Sequence, residues 1–333
     1  MKQPLILLFG QPRSGTTWIG KIFDSHPNTL YRHEPDSGSA LKSLPLIAPV
    51  ADCEKYRSTI THFVDRLPHL NSPRAAGTLP IFPKSYMSST GLLLRRFAVL
   101  ATKVSEPFIA DIPIPEFTDL KRAADIHVVW KSIESLGRLG VIVRSVANSK
   151  AVLILRHPGG YIASVLNGEA RGQFSSTAKS SDDFPVLRML LEESPHKQRN
   201  PSDQAVKTMH PVERLAWRWV LYNEIALAGI EGIANSAVLR YEDLCAHPVA
   251  KAKELIQFTG LAWHHQVESF VQRSTSRRSE HYYSVFKDPL ESSTKWSQQL
   301  SAADIERIMR VVRESRLVDF YPDVSAETEL IYA

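Results

Sequence analysis

The segment from Leu5 to Trp18 constrains the fold most strongly. Its first residues, 5–9, are five consecutive apolar residues that predict a buried strand. The glycine-bounded loop 10–15 follows and leads directly into residues 16–24, whose apolar spacing predicts an amphipathic helix. Glycines let such a loop turn tightly, so that backbone amides and the positive end of the helix dipole face one anion. The segment therefore predicts a phosphate-binding loop.

This loop differs from the loop of nucleotide triphosphatases. Their G-x-x-x-x-G-K-[ST] pattern places a lysine after the second glycine, followed by a hydroxyl that holds magnesium. Here Gly10 and Gly15 keep the spacing, but Thr16 stands at the lysine position and the basic residue lies inside the loop as Arg13. A P-loop kinase or triphosphatase is disfavoured. Such an enzyme needs the loop lysine and an acidic magnesium ligand, whereas here the strand at 151–155 is followed by Arg156 instead of an aspartate.

The residues Pro-Arg-Ser-Gly-Thr-Thr-Trp at 12–18 resemble the 5′-phosphosulfate loop of one family. These are the sulfotransferases that use 3′-phosphoadenosine-5′-phosphosulfate (PAPS), in the Arg-Ser-Gly-Thr-Thr form typical of the carbohydrate and tyrosylprotein branch. The resemblance implies a P-loop-containing, sulfotransferase-like fold, PAPS as sulfuryl donor and 3′-phosphoadenosine-5′-phosphate (PAP) as product. It implies donor contacts from Arg13, Ser14, Gly15, Thr16, Thr17 and Trp18. A glycine turn that binds no ligand is the alternative.

A second motif lies at the end of another predicted strand, residues 151–155. Arg156 follows this strand and Ser164 comes eight residues later. In the family that the chain resembles, such an arginine and serine contact the 3′-phosphate of PAPS. A spacing of eight places two residues on one helix face, a guanidinium offers phosphate a permanently charged fork, and ligands bind at the carboxyl ends of parallel strands. His157 and Pro158 depart from the family, where many relatives have an aspartate.

Two further segments resemble the parts of the family that surround the nucleotide. In residues 240–244, Tyr241 is implied beside the adenine, with a strand end and an acidic helix cap as the alternative. Residues 274–296 imply a loop that closes over the nucleotide before a Lys-Trp dipeptide. Lys287 is the expected phosphate contact in this loop, and Arg277 or Arg278 is the alternative.

The resemblance also implies the groups that would perform sulfuryl transfer. Glu34 is implied as general base, because it follows Arg13 by the spacing of the catalytic glutamate in tyrosylprotein sulfotransferases. His33 is the alternative base, since its ordinary pKa of about 6.5 suits proton transfer. If this segment is extended, the two neighbours face opposite sides and only one reaches the acceptor. An ion pair of Glu34 with Arg32 is the structural alternative.

Lys131 is implied as a contact to the sulfuryl group or the leaving oxygen. It ends the strand predicted at 126–131, where the family often has a lysine. A solvated surface lysine is the alternative. The reaction needs an acceptor base, cations and in-line geometry, and no metal is implied.

The pattern as a whole predicts an α/β fold with a parallel central sheet flanked by helices. Strands are expected at 5–9, 29–32, 126–131, 151–155 and 237–241, and helices at 16–24, 54–67, 92–102, 211–233, 247–260 and 302–313. One sulfotransferase domain is expected over 1–333, with acceptor-binding or lid insertions around 35–115 and 169–210. A surface loop is the alternative for 169–210. In the helix at 211–233, Trp217 and Arg218 are expected to pack at the surface.

Composition favours a soluble, cytoplasmic enzyme. Of the 333 residues 43% are hydrophobic, the net charge is only +5, and no run approaches the ~18 apolar residues of a membrane helix. Neither a nucleic-acid partner nor a disulfide framework is expected, and Cys53 and Cys245 are interpreted as buried thiols. The acceptor hydroxyl or amine could belong to a small molecule, glycan, lipid or peptide. A non-catalytic nucleotide-binding protein remains the second hypothesis.

Overall fold

The computed structural model describes residues 3–38, 41–105, 113–115, 125–172, 179–276 and 288–321. A five-stranded, wholly parallel sheet has the order β2-β3-β1-β4-β5. The strands are β1 (Leu5–Gly10), β2 (Thr29–His33), β3 (His127–Ser132), β4 (Ser149–Leu155) and β5 (Ser236–Arg240). The helices are α1 (Thr16–Asp24), α2 (Cys53–Arg66), α3 (Pro73–Ala76), α4 (Ser89–Ser105), α5 (Leu139–Ser145), α6 (Pro158–Ala170), α7 (Phe184–Glu193), α8 (Asp203–Thr208), α9 (Pro211–Ile230), α10 (Tyr241–Ala246), α11 (Pro248–Phe258), α12 (His265–Ser276), α13 (Pro289–Thr294), α14 (Trp296–Gln299) and α15 (Ala302–Arg313).

The central strand β1 is buried on both faces, as its uninterrupted apolar sequence predicts. Leu5, Leu7 and Phe9 pack into a cluster with α2, α5, α9 and α15. The alternate residues Ile6 and Leu8 pack into a second cluster with α1, α11 and α12. A strand between two helical layers has no solvent face, which is why its sequence does not alternate. The predicted α/β class is confirmed.

The predicted elements agree with the structure within a few residues. The helices α1 and α15 begin and end at the predicted residues. The last strand, β5, ends at Arg240 and not at 241, because Tyr241 is the first residue of α10. The predicted helices at 211–233 and 247–260 are the shorter α9 and α11.

The region 35–115 contributes to the core as well as to the surface. Phe63 of α2 packs against Trp130 of β3 with ring centroids 5.0 Å apart. Ile60 of the same helix is fully buried. The first part of this region therefore covers one face of the sheet, whereas the later helix α4 exposes several large apolar side chains.

The surface-loop interpretation of 169–210 is wrong for its described part. Residues 179–210 contain α7 and α8, and Leu187 and Leu190 of α7 are buried in the core. Trp217 of α9 is also buried, in the same core cluster, contrary to the expected surface position. Arg218 donates hydrogen bonds to the Ser180 carbonyl and the Asp183 carboxylate, 3.1 and 3.2 Å away.

Both cysteines are buried free thiols, as predicted. No helix within the described ranges combines the length and the apolar character that a bilayer-spanning segment requires.

The buried carboxylate of Asp36 fixes the chain just beyond β2. It accepts a hydrogen bond from Trp130 Nε1 at 3.1 Å and from the hydroxyls of Ser132 and Ser135 at 2.5 Å each. These donors lie at and beyond the carboxyl end of β3. Asp36 therefore holds the turn that contains Glu34 against the neighbouring strand.

We expect Asp36→Ala to lower the free energy of unfolding by about 3 kcal/mol, because three buried donors lose their acceptor. Urea denaturation followed by circular dichroism measures this loss. Asp52→Ala is the matched control: Asp52 lies in an exposed pair with Lys55, 4.0 Å away, and should change stability little. Equal losses in the two variants would contradict the anchoring role of Asp36.

Candidate active site

The predicted site residues gather at the carboxyl edge of the sheet. Each lies at or just beyond a strand end: Arg13 after β1, Glu34 after β2, Lys131 near the end of β3, Arg156 after β4 and Tyr241 after β5. The strand order changes direction between β1 and β4, since β2 and β3 lie on one side of β1 and β4 and β5 on the other. Ligands of open α/β sheets bind in the crevice at such a point.

The loop 10–15 adopts a backbone that most residues avoid. Gly15 has φ of 79°, and a Cβ at this position would overlap the Tyr241 ring. Arg13 has φ of 72°, and the one other described non-glycine residue with positive φ is Glu34, at 46°. Positive φ is costly for residues with a side chain and clusters at functional sites. Here it falls on the predicted loop cation and the predicted base.

The start of α1 is open to an anion. Its N-cap, Gly15, supplies no side-chain hydrogen bond. The first amides of a helix lack a carbonyl partner within that helix, which leaves the amides of Thr16 and Thr17 for a ligand. The Ser14 amide instead donates to the Gln11 carbonyl at 3.2 Å, so it serves the loop itself. Trp18 is buried and donates from Nε1 to Ser274 Oγ at 2.9 Å, which makes it a packing residue of the loop.

The structure joins the two predicted donor motifs. Arg13 Nε donates to Ser164 Oγ at 3.0 Å, and Arg156 Nη1 donates to the Arg13 carbonyl at 2.6 Å. The expected helical relationship between Arg156 and Ser164 does not hold, because α6 begins at Pro158 and Arg156 precedes it. The two residues meet through Arg13.

The Arg156 guanidinium is buried but incompletely bonded. Nη2 donates to the Ser292 carbonyl at 2.8 Å, whereas Nε is buried with no hydrogen-bond partner. The guanidinium also lies over the Tyr241 ring, 5.0 Å from its centroid. Tyr241 thus lies beside Gly15 of the phosphate loop and beneath Arg156. A buried, partly unsatisfied arginine at a strand end favours an anionic ligand.

Lys295 extends this positive charge and was not among the sequence-predicted contacts. Burial lowers the pKa of Lys295, and the charges of Arg156, Arg171 and Arg13 lower it further, despite opposition from Glu291. These four basic residues form what we call the cation cluster: Arg13, Arg156, Arg171 and Lys295. A concentration of like charge at a cleft attracts an anion. The Lys-Trp dipeptide at 295–296 was the sequence signal for it.

His157 takes over the capping role that an aspartate could perform. Its Nδ1 accepts from the Gly159 amide at 3.1 Å and thereby caps α6. Its ring stacks on Trp296 with centroids 4.2 Å apart. Burial lowers the pKa of His157 to about 3, and the charges of Arg240 and Arg156 act in the same direction. His157 therefore caps α6 as an uncharged residue, at a position where many relatives have an aspartate.

Glu34 and Lys131 form a buried ion pair with 2.5 Å between Oε1 and Nζ. Arg32 is not the partner, because it is fully buried and donates to the carbonyls of Leu67 and Pro68 at 2.9 and 2.5 Å. Burial by itself raises the pKa of Glu34, but the Lys131 ammonium brings it below the ordinary value of 4.5. Burial lowers the pKa of Lys131, against the attraction of Glu34. The solvated-lysine alternative is wrong.

His33 lies on the same side as Glu34, contrary to the expected alternation. Lys131 is its register partner in β3, and His33 Nε2 is 3.6 Å from Glu34 Oε1. The alternation fails because the positive φ of Glu34 turns its side chain back. Tyr31 Oη lies 2.9 Å from His33 Nδ1. Burial, reinforced by the Lys131 charge, lowers the pKa of His33 to about 3, so the ring is neutral near pH 7.

Three predicted phosphate contacts lie outside the described residues: Lys287, Arg277 and Arg278. No cluster of three or more His, Cys, Asp or Glu side chains with the arrangement of a metal site occurs among the residues that are described.

Comparisons with known proteins identify the family of this chain. The model of the sulfotransferase family matches residues 4–265, and the chain belongs to this family. It is 23% identical to human carbohydrate sulfotransferase 6, over 97% of this chain and 82% of that protein. It is 21% identical to human carbohydrate sulfotransferase 3, over 87% of this chain but only 61% of that protein. The predicted family resemblance is confirmed.

The chain also resembles solved structures at low identity. A sulfotransferase domain from the olefin synthase of Synechococcus PCC 7002 is 15% identical, over 94% of this chain and 95% of that chain, with a TM-score of 0.44.

The buried pair predicts a pH-dependent effect of Glu34→Gln on stability. At neutral pH the variant removes the ion-pair partner of the buried Lys131 ammonium, so the free energy of unfolding should fall by about 3 kcal/mol. The pKa of Glu34 is below 4.5 in the folded protein, so its stabilising contribution is complete above that pH and is lost as the pH falls through the lowered value. The gap between wild type and variant should therefore shrink in acid.

Urea titrations across a pH series measure this gap. Glu54→Gln is the control, because Glu54 belongs to an exposed pair with Arg57 and should change stability little at any pH. If the difference in free energy of unfolding between wild type and Glu34→Gln stays constant as the pH falls well below 4.5, the ionised form of Glu34 does not stabilise the fold.

Proposed function

We propose that the protein transfers the sulfuryl group of PAPS to an acceptor hydroxyl or amine. The observation that carries this proposal is the junction of Arg13, Ser164 and Arg156 at the sheet edge. Arg13 and Arg156, which are 143 residues apart in sequence, join two motifs there. Each motif resembles the binding element for one end of the same donor. Membership of the sulfotransferase family supports the same reaction.

The donor would be held by its negative charges. Its 5′-phosphosulfate would lie at the open start of α1, against Arg13 and the amides of Thr16 and Thr17. Its 3′-phosphate would pair with the Arg156 guanidinium, whose Nε is buried without a partner, and with Lys295. Tyr241 would contact the adenine from its place beside Gly15 and beneath Arg156. Lys287 remains a predicted contact outside the described residues.

Glu34 would take the proton of the acceptor. In the proposed step the acceptor O–H or N–H bond transfers its proton to Glu34, and the freed electron pair forms a new bond to sulfur. The bond from sulfur to the bridging oxygen breaks, and its electrons remain on the phosphate of PAP. The loop amides and Arg13 would stabilise the charge that develops on this phosphate.

Lys131 would link donor binding to the strength of the base. While the Lys131 ammonium is paired with Glu34, it holds the pKa of that carboxyl low and makes it a weak base. A sulfuryl oxygen of the donor would offer Lys131 a second negative partner at the same edge. Sharing of the ammonium would raise the proton affinity of Glu34 when the reaction needs it.

A carbohydrate hydroxyl is the acceptor that the comparisons favour, because the curated relatives are named as carbohydrate sulfotransferases. Mass spectrometry of glycan, lipid and peptide pools incubated with PAPS would test it through the gain of one sulfuryl group. A non-catalytic PAPS-binding protein is the second candidate. The buried Glu34–Lys131 pair at the sheet edge favours an enzyme, since donor binding alone needs no carboxylate there. Cytoplasmic location stays a prediction.

Binding should depend on the 3′-phosphate through Arg156. We expect Arg156→Ala to weaken PAP binding by roughly 1.5 to 3 kcal/mol, because a charge-assisted contact is lost. AMP, which lacks the 3′-phosphate, should bind wild type and variant almost equally. Titration calorimetry with both nucleotides measures the selectivity ratio, which a merely structural defect would not change. Arg188 is an exposed arginine of α7, so Arg188→Ala is the matched control. A selectivity ratio that is unchanged in Arg156→Ala would refute the assignment.

Turnover should depend on Glu34 far more than on His33. Glu34→Gln keeps the shape but removes the basicity, so transfer should fall by roughly 10² to 10⁴. His33→Asn should have a much smaller effect, because burial lowers the pKa of His33 to about 3 and makes this histidine a weak base. Steady-state rates with an accepted acceptor, measured on variants that retain PAP affinity and the circular dichroism of the wild type, decide between them. Near-normal turnover in Glu34→Gln, with His33→Asn inactive, would make His33 the base.

A further inference from the structure

The helix α4 presents its apolar side to the surface. Four large side chains are between 45% and 63% exposed, and we call them the apolar face of α4: Leu93, Leu94, Phe97 and Leu100. Their spacing places them on adjacent turns of one side of the helix. A surface helix of a globular protein normally buries such a stripe and exposes its polar side.

The opposite side of α4 shows that the helix is packed in this orientation. Val99 is fully buried. Arg95 is turned inward and donates from Nη2 to the Ala76 carbonyl of α3 at 2.8 Å. The apolar face is therefore directed outward by definite contacts on the other side, and a contiguous exposed patch of this kind marks an interaction site.

The segment that carries this face contains basic residues and no acidic ones. Between Asp65 and Glu106 the basic residues are Arg66, Arg74, Lys84, Arg95, Arg96 and Lys103. Lys84 is buried in a pair with Asp24 and Arg95 is turned inward, so neither contributes to the exposed face. Arg96 is exposed and lies one turn before Leu100, at the border of the apolar face. Exposed leucine and phenylalanine flanked by basic residues are the features of helices that lie in the interface of a bilayer.

A protein partner fits this face less well than a lipid surface. A second copy of the chain would bring two basic helices together without a compensating carboxylate from this segment. Four half-exposed side chains also offer less than the about 800 Å² per partner that a stable protein interface buries. A bilayer with anionic lipid satisfies both features, since it accepts apolar side chains and attracts lysine and arginine.

We propose that the apolar face of α4 docks on the surface of a membrane that contains anionic lipid. Leu93, Phe97 and Leu100 would enter the boundary between headgroups and acyl chains, and Arg96 would pair with a lipid phosphate. Because α4 contacts α3, which lies beside the strand that ends before Glu34, docking would bring that side of the molecule close to the membrane. The interaction requires neither PAPS nor turnover and stands independently of the proposed reaction.

Sedimentation with lipid vesicles tests the proposal on the full chain. The protein should sediment with vesicles of phosphatidylcholine and phosphatidylglycerol in equal parts, much less with phosphatidylcholine alone, and should be released by added salt. Leu93→Ala/Phe97→Ala should weaken partitioning roughly tenfold, because it removes apolar area while keeping good helix formers. Arg96→Glu should weaken it by at least roughly fivefold.

Matched surface variants separate this face from general effects. Met189→Ala removes a partly exposed apolar side chain of α7, and Lys55→Glu reverses an exposed charge of α2, and both should sediment as wild type does. Failure of the wild type to bind anionic vesicles, or equal binding by the Leu93→Ala/Phe97→Ala variant, would overturn the proposal. A dimer seen by light scattering that this variant abolishes would assign the face to self-association and overturn it too. If the double variant fails to fold, the salt dependence and Arg96→Glu decide.

Discussion

The parallel pairing of β1 with β3 on one side and β4 on the other is the constraint on which the rest of the site depends. Because all strands run in one direction, their carboxyl ends meet at one edge, and the residues that follow them are brought together from distant parts of the sequence. The register places Phe9 beside Ser132 and Gly10 beside Ile154. Both faces of β1 are buried, so a one-residue slip would exchange its side chains between the two core clusters and disrupt the packing of both.

This edge carries more strain and positive charge than stability alone would favour. Arg13 and Glu34 both hold positive φ angles, and both are fixed by neighbours: Arg13 through Ser164 and Arg156, and Glu34 through Lys131. The charges of Glu34 and Lys131 compensate each other. The cation cluster of Arg13, Arg156, Arg171 and Lys295 instead gathers like charges, which lower the pKa of Lys295. An anionic donor would supply the missing counter-charge, which is the physical link between the fold and sulfuryl transfer.

Local sequence predicted the elements and motifs well, and tertiary contacts explain the errors. The phosphate loop and its helix were predictable because glycine spacing and apolar periodicity act over a few residues. Alternation along β2 predicted opposite faces for His33 and Glu34, yet the anchoring of Asp36 by β3 forms a turn that places them together. Trp217 was expected at the surface because the helices that pack around α9 cannot be identified from the sequence of α9.

The sequence by itself determined the α/β class, the family and the candidate cations, since apolar runs, glycine positions and motif spacing are local properties of the chain. Only the tertiary structure decided which of these groups meet. Glu34 forms its ion pair with Lys131 and not with Arg32. Ser164 accepts a hydrogen bond from Arg13 and not from Arg156. The tertiary structure also decided that α4 turns its apolar side outward. Side-chain partners depend on strand order and register, which join residues far apart in sequence and leave no local signal.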